Sequence, residues 1–73
     1  MEYYERIKAM REDNDKTQNE IAKIIGTEQS YYAKYEKGIH PMRADQIKTL
    51  AMYYNISADY LLGIIDEPKK IKE

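Results

Sequence analysis

Apolar positions along the chain recur at helical spacing in short runs, and each run ends in a residue that turns the backbone. Tyr3, Ile7 and Met10 fall four and three residues apart. That is one face of a helix over about Tyr3 to Asp13, with charged residues around the remainder. Thr17-Gln18-Asn19-Glu20 opens a second segment. It reads as a capping box, in which the Thr17 hydroxyl accepts from the Glu20 N–H and the Glu20 carboxylate reaches back to the Thr17 N–H. Ile21, Ala22, Ile24 and Ile25 follow, up to Gly26. A third segment runs from about Gln29 to Lys37, with Tyr32 and Tyr35 on its inner face and Gly38 closing it. In the fourth, Ala44 to Tyr54, the residues Ile47, Leu50, Ala51 and Tyr54 form an i, i+3, i+4, i+7 stripe. A fifth, short helix starts after Ser57, a good N-cap, carries Tyr60, Leu61 and Leu62 and ends at Gly63. No stretch alternates with period two between hairpin turns, so the expected fold is all-α, with five short helices.

Length and composition narrow this further. A chain of 73 residues holds one small domain, expected over residues 1–65. A charged tail, 66–73, with one proline and one apolar residue, is expected to fray. There is no cysteine, hence no disulfide framework and no thiol nucleophile, which points to a reducing, cytoplasmic setting. The opening Met-Glu-Tyr-Tyr-Glu has neither a basic nor an apolar stretch, and the longest near-apolar run is Leu61-Leu62-Gly63-Ile64-Ile65. A membrane span needs about 20 residues, so a soluble, unprocessed protein with no membrane partner is expected. Charge is balanced, 12 basic against 13 acidic residues, so any basic site must be local. Only residues 17–43 are net positive, with four basic against three acidic groups, and His40 lies there too.

Gln18 to Lys37 meets several demands of a tight helix-turn-helix together. Ala22 is small where two helices crossing at about 90–120° would meet, Gly26 sits in the turn, and Ile21, Ile25, Tyr32 and Tyr35 face inward. The chain thereby resembles the lambda-repressor-like (XRE, Cro-type) helix-turn-helix family of bacterial and phage transcriptional regulators. Arg6-Ile7-Lys8 and Met10-Arg11 look like its first helix, Thr17 to Ala22 its second, and Gln29-Ser30 through Gly38 its recognition helix; Tyr54 to Gly63 is similar to its last helix. The resemblance implies a compact five-helix DNA-binding domain whose third helix enters the major groove. It places Gln29 at base edges, where an amide pairs with adenine N6 and N7. Ser30, Tyr31 and Lys34 are further base-contacting candidates, Tyr31 through a thymine methyl or a sugar. Gln18 looks like the family glutamine that clamps a phosphate, with Thr17 and Asn19 beside it at a helix N-terminus that favours anions. Lys37, His40 and Arg43 follow in the loop that would track the backbone. Arg11 and Glu36 match a family ion pair between the first and third helices. Glu28 stands where the family usually has Ser or Thr as N-cap, and a carboxylate can also cap; Ile39 stands where Lys or Arg is frequent.

The resemblance implies double-stranded DNA as partner, homodimerisation and repression from a palindromic operator, with no cofactor. The alternative is a module of the same shape whose main partner is a protein, such as an antitoxin or anti-activator, with Tyr53, Ile64 and Ile65 as its exposed apolar residues. Tyr32, Tyr35, Tyr54 and Tyr60 are assigned to the core; Tyr3, Tyr4, Tyr31 and Tyr53 to the surface. His40 is the single histidine, so a His-based metal site lacks companions. With no Gly-rich phosphate loop, no paired nucleophile and base, and no expected room for a pocket of about 300 Å³, catalysis is not expected.

Overall fold

The computed structural model describes residues 1–72; Glu73, the last residue of the expected tail, lies outside the described residues. Five helices follow in order: α1 (Tyr3–Asp13), α2 (Gln18–Ile25), α3 (Gln29–Glu36), α4 (Ala44–Tyr54) and α5 (Ala58–Leu61). There is no strand among the described residues. The third helix stops one residue short of the expected Lys37, which serves as its C-cap.

Local chemistry explains the helix ends. At the start of α2 the Thr17 hydroxyl accepts from the Glu20 N–H at 3.1 Å, while the Glu20 carboxylate accepts from the Thr17 N–H at 2.9 Å. The helix closes on Gly26 at φ 78°, a left-handed conformation that only glycine takes without steric cost. From there the chain reaches Glu28, the N-cap of α3, whose carboxylate makes no capping bond. The capping that a carboxylate at this position can provide is not made, while the Tyr31 N–H donates to the Glu28 carbonyl at 3.1 Å. The end of α4 is closed by Asn55 at φ 54° rather than by a glycine, since Asn tolerates the left-handed region.

Helices α2 and α3 pack against each other most extensively; α1 lies across α3 and α5, and α4 joins α2 to α5. Their shared core holds Ile7, Ile21, Ala22, Ile25, Tyr32, Tyr35, Met42, Leu50, Ala51, Ile56 and Leu61. Tyr54 and Tyr60 pack against it, only partly buried. Tyr3 and Tyr4 depart from the expected surface position and are half-buried. The Tyr3 hydroxyl accepts from the Met42 N–H at 3.0 Å, and the Tyr4 ring lies where a Gly38 β-carbon would stand, 2.5 Å from Cε1. Both rings hold the loop after α3 against α1.

Arg6, at the end of the first turn of α1, is buried. Its guanidinium donates to the carbonyls of Tyr60 and Ile65 at 2.8 and 3.2 Å, stacks 4.1 Å from the Tyr60 ring centroid and meets Asp66 at 3.4 Å. One charged side chain thus fastens the C-terminal end to the first helix. Beyond it, Ser57 N–H donates to the Lys69 carbonyl at 2.6 Å, and the Asn55 amide exchanges two bonds with the Lys72 backbone at 3.0 and 3.1 Å.

Candidate nucleic-acid interface

Three helices meet at a buried carboxylate. Glu36, in the last turn of α3, has a side chain only 2% exposed. Arg11 from α1 donates to it twice, Nε to Oε2 at 2.7 Å and Nη2 to Oε1 at 3.1 Å, the two-pronged arrangement for which the guanidinium is shaped. The remaining prong, Nη1, donates to the Lys16 carbonyl at 2.9 Å. That carbonyl faces Arg11 because Asp15 takes φ 56°, reversing the chain between α1 and α2.

The carboxylate has a third donor. Gln18, in the first turn of α2, gives Nε2–H to Glu36 Oε1 at 3.0 Å, and its Oε1 accepts from Gln29 Nε2 at 3.0 Å. This relay has a direction. An ionised carboxylate only accepts, so Gln18 must turn its NH₂ inward and its carbonyl outward, and Gln29 must then turn its own NH₂ toward Gln18. Gln29 is exposed at the N-terminus of α3, and it keeps a carbonyl oxygen and one N–H for other partners. Those are the acceptor and donor that the adenine N6/N7 edge requires.

Burial works to raise the Glu36 pKa, but bonds led by those from Arg11 outweigh it and hold the group below the usual carboxylate range. A group depressed in the folded state contributes stability above its unfolded pKa of about 4.3 and loses it as pH falls through the lower, folded value. The midpoint of thermal unfolding should therefore drop on acidification below about pH 5, more steeply in the wild type than in Glu36→Gln. Parallel curves for the two proteins would remove Glu36 from the acid response.

The other candidate residues fall as follows. Ser30, Tyr31 and Lys34 are exposed on α3, beside Gln29. Thr17 and Asn19 are exposed at the start of α2, the Thr17 hydroxyl already committed to its cap. Lys37 is exposed at the end of α3 and Arg43 precedes α4. Arg43 is bonded to Asp45 at 3.0 and 3.3 Å, an exposed pair of the kind worth little. His40 is half-buried, its ring stacked on Tyr31 at 4.9 Å between centroids and 10° between planes. Tyr31 also meets Tyr35 edge-on at 5.2 Å. No group of three metal-ligating side chains is found among the described residues.

Residues 4–67 match the family described as "Helix-turn-helix domain". The chain belongs to that family. This helix-turn-helix domain is 33% identical over 66 residues, 90% of its length, to an uncharacterized HTH-type transcriptional regulator, YobD, of Bacillus subtilis. Its fold is similar to the crystal structure of a transcriptional regulator from Listeria innocua, with a TM-score of 0.82, 21% identity and 90% of this chain covered. The helix-turn-helix domain spans 59% and 62% of the lengths of these two relatives.

Two features of the domain escape sequence reasoning. Gln46 is buried in α4; its Nε2–H donates to the Tyr35 hydroxyl at 3.2 Å and its Oε1 accepts from the Arg43 N–H at 3.0 Å. It anchors α3 to α4 through polar atoms that no apolar stripe reveals. The second is an apolar groove of about 420 Å³ between α4 and α5, lined by Ile47, Ala51, Met52, Ala58, Leu62 and Ile71. The expectation of no room for a pocket is corrected by it: α5 is too short to cover the outer face of α4. No helix among the described residues is long and apolar enough to cross a membrane.

Proposed function

We propose that this domain is the double-stranded DNA-binding part of a transcriptional regulator, reading sequence with α3 in the major groove. The observation that carries the reading is the relay from Arg11 through Glu36 and Gln18 to Gln29. It spends a buried ion pair and two amides on orienting one exposed glutamine at a helix N-terminus, which a purely structural role does not need. Ser30, Tyr31 and Lys34 share its face, and Gln18, Thr17, Asn19, Lys37 and Arg43 flank it as phosphate contacts, with His40 in the loop between the last two. The net charge of −1 and the Asp45 partner on Arg43 make single-domain binding weak and salt-sensitive. Binding as a homodimer to a palindrome, with half-sites about 34–36 Å apart or a multiple of that, doubles the contacts. Occupying a promoter in this way makes the protein a repressor that needs neither a cofactor nor a catalytic step.

The test is selection from a random duplex library at moderate salt. A palindrome is expected to enrich, and Gln29→Ala should lose about 1–3 kcal/mol of discrimination at one base pair per half-site while keeping the rest of the pattern. A Gln29→Ala profile identical to wild type would overturn the assignment. The apolar groove beside α5 favours one other reading, a module whose main partner is a protein. A folded protein that enriches no duplex, and whose residual DNA affinity has no steep salt dependence, would decide for it.

A further inference from the structure

Tyr31 is the one large apolar side chain on the exposed face of α3, and it is not free to swing. One face of its ring is covered by His40, nearly parallel at 4.9 Å, and Tyr35 meets it edge-on at 5.2 Å. Tyr35 is in turn buried and held by Gln46. His40 lies four residues beyond the end of α3 but remains tied to it, because the N–H groups of Ile39 and His40 both point to the Lys34 carbonyl, at 3.0 and 3.5 Å. What remains open of Tyr31, 44% of the residue, adjoins a concavity of about 360 Å³ bordered by Thr27, Glu28 and Arg43.

We propose that His40 is a positioning residue for Tyr31: by stacking on the ring it fixes an apolar surface that packs on a thymine 5-methyl group, so base preference depends on a loop residue outside α3. This rests on the DNA-binding reading above. It differs from a phosphate role for His40 in what it changes. A phosphate contact strengthens every duplex alike and carries no sequence information. A ring held in one orientation discriminates at one step, and aromatic pairing of this kind is worth about two- to twelvefold in an equilibrium.

The probe is the duplex enriched by wild-type protein, synthesised with thymidine or with deoxyuridine at the preferred position. Wild type should bind the thymidine duplex about fourfold more tightly, the worth of one buried methyl group. His40→Ala should bring that ratio close to one without altering the salt slope, and His40→Phe, which restores a stacking ring without the imidazole nitrogens, should recover it. In DNA-free protein with ¹³C-labelled tyrosine, the ring signals that vanish in Tyr31→Phe should move in His40→Ala and lie near their wild-type positions in His40→Phe. The proposal is overturned if His40→Ala keeps the ratio and weakens all duplexes equally with a salt slope smaller by about one, if His40→Phe does not rescue, or if the Tyr31 signals stay put. Failure of the wild type to enrich any duplex removes the DNA reading and this inference together, whereas an enriched duplex with a thymidine-to-deoxyuridine ratio of one removes this inference alone.

Discussion

Replacing Arg11 with alanine is expected to destabilise the fold by about 3–5 kcal/mol, because it leaves the Glu36 carboxylate buried with only Gln18 as donor. The Lys16 carbonyl would lose its partner as well, loosening the left-handed turn between α1 and α2. Domains of this size have total stabilities of about 0.05–0.15 kcal/mol per residue, so roughly 4–11 kcal/mol here. At the lower end of that range the loss brings the variant to its unfolding midpoint. Urea titration followed by circular dichroism measures this, and an unchanged midpoint would refute the role given to the pair. A companion variant separates charge from packing. Arg11→Met combined with Glu36→Leu removes both charges, and swaps of this kind are often neutral or stabilising. The double variant should recover most of the stability while losing the acceptor that orients Gln18 and Gln29, so folding returns without base discrimination.

Tyr32→Ala should cost about 3–5 kcal/mol, the range for deleting a buried aromatic ring. Tyr32 is fully enclosed on the inner face of α3 and meets Tyr35 edge-on at 6.3 Å. Its burial, and then the nearby Glu36 carboxylate, push the hydroxyl far above the ordinary tyrosine range, so the group stays neutral throughout the working pH. Because α3 has only eight residues, it is too short to be helical alone in water and depends on this ring and Tyr35 for its place. The loss should appear as a lower thermal midpoint with native α1 and α4 signals weakened together with those of α3, since all share one core. Amide exchange that speeds up in α3 alone would argue against a single cooperative unit.

The helices were legible because their signals are local. Thr17 to Glu20 carries its own cap, Gly26 its own stop, and the stripe from Ile47 to Tyr54 its own period, and each is found where the spacing puts it. What stayed illegible depends on partners distant in sequence. Arg6 reads as one charge among many on α1, and only the fold brings the carbonyls of Tyr60 and Ile65 to it. Gln46 looks like a polar residue flanking an apolar stripe, yet it is buried because Tyr35 offers it a hydroxyl. Asp15 takes left-handed backbone, which its residue type tolerates, but no apolar stripe marks that position. At the candidate site, resemblance paired Arg11 with Glu36, but it gave Gln18 an outward role alone. The inward bond to Glu36, which sets the orientation of both amides, exists only once the fold brings α2 against α3.

Under the proposed DNA-binding role, the relay also shapes how such a domain changes its target over generations. Gln29 leans on Gln18, and Gln18 on a carboxylate whose burial depends on Arg11. Substituting Gln29 leaves the ion pair intact, so new preferences can be explored at the outermost link with the scaffold unharmed. Substituting Gln18 alters the footing of both neighbours at once, and its consequences will depend on which residue occupies position 29. Mutations here are thus expected to be epistatic in a fixed order, with tolerance falling from the exposed end of the chain of bonds to the buried one.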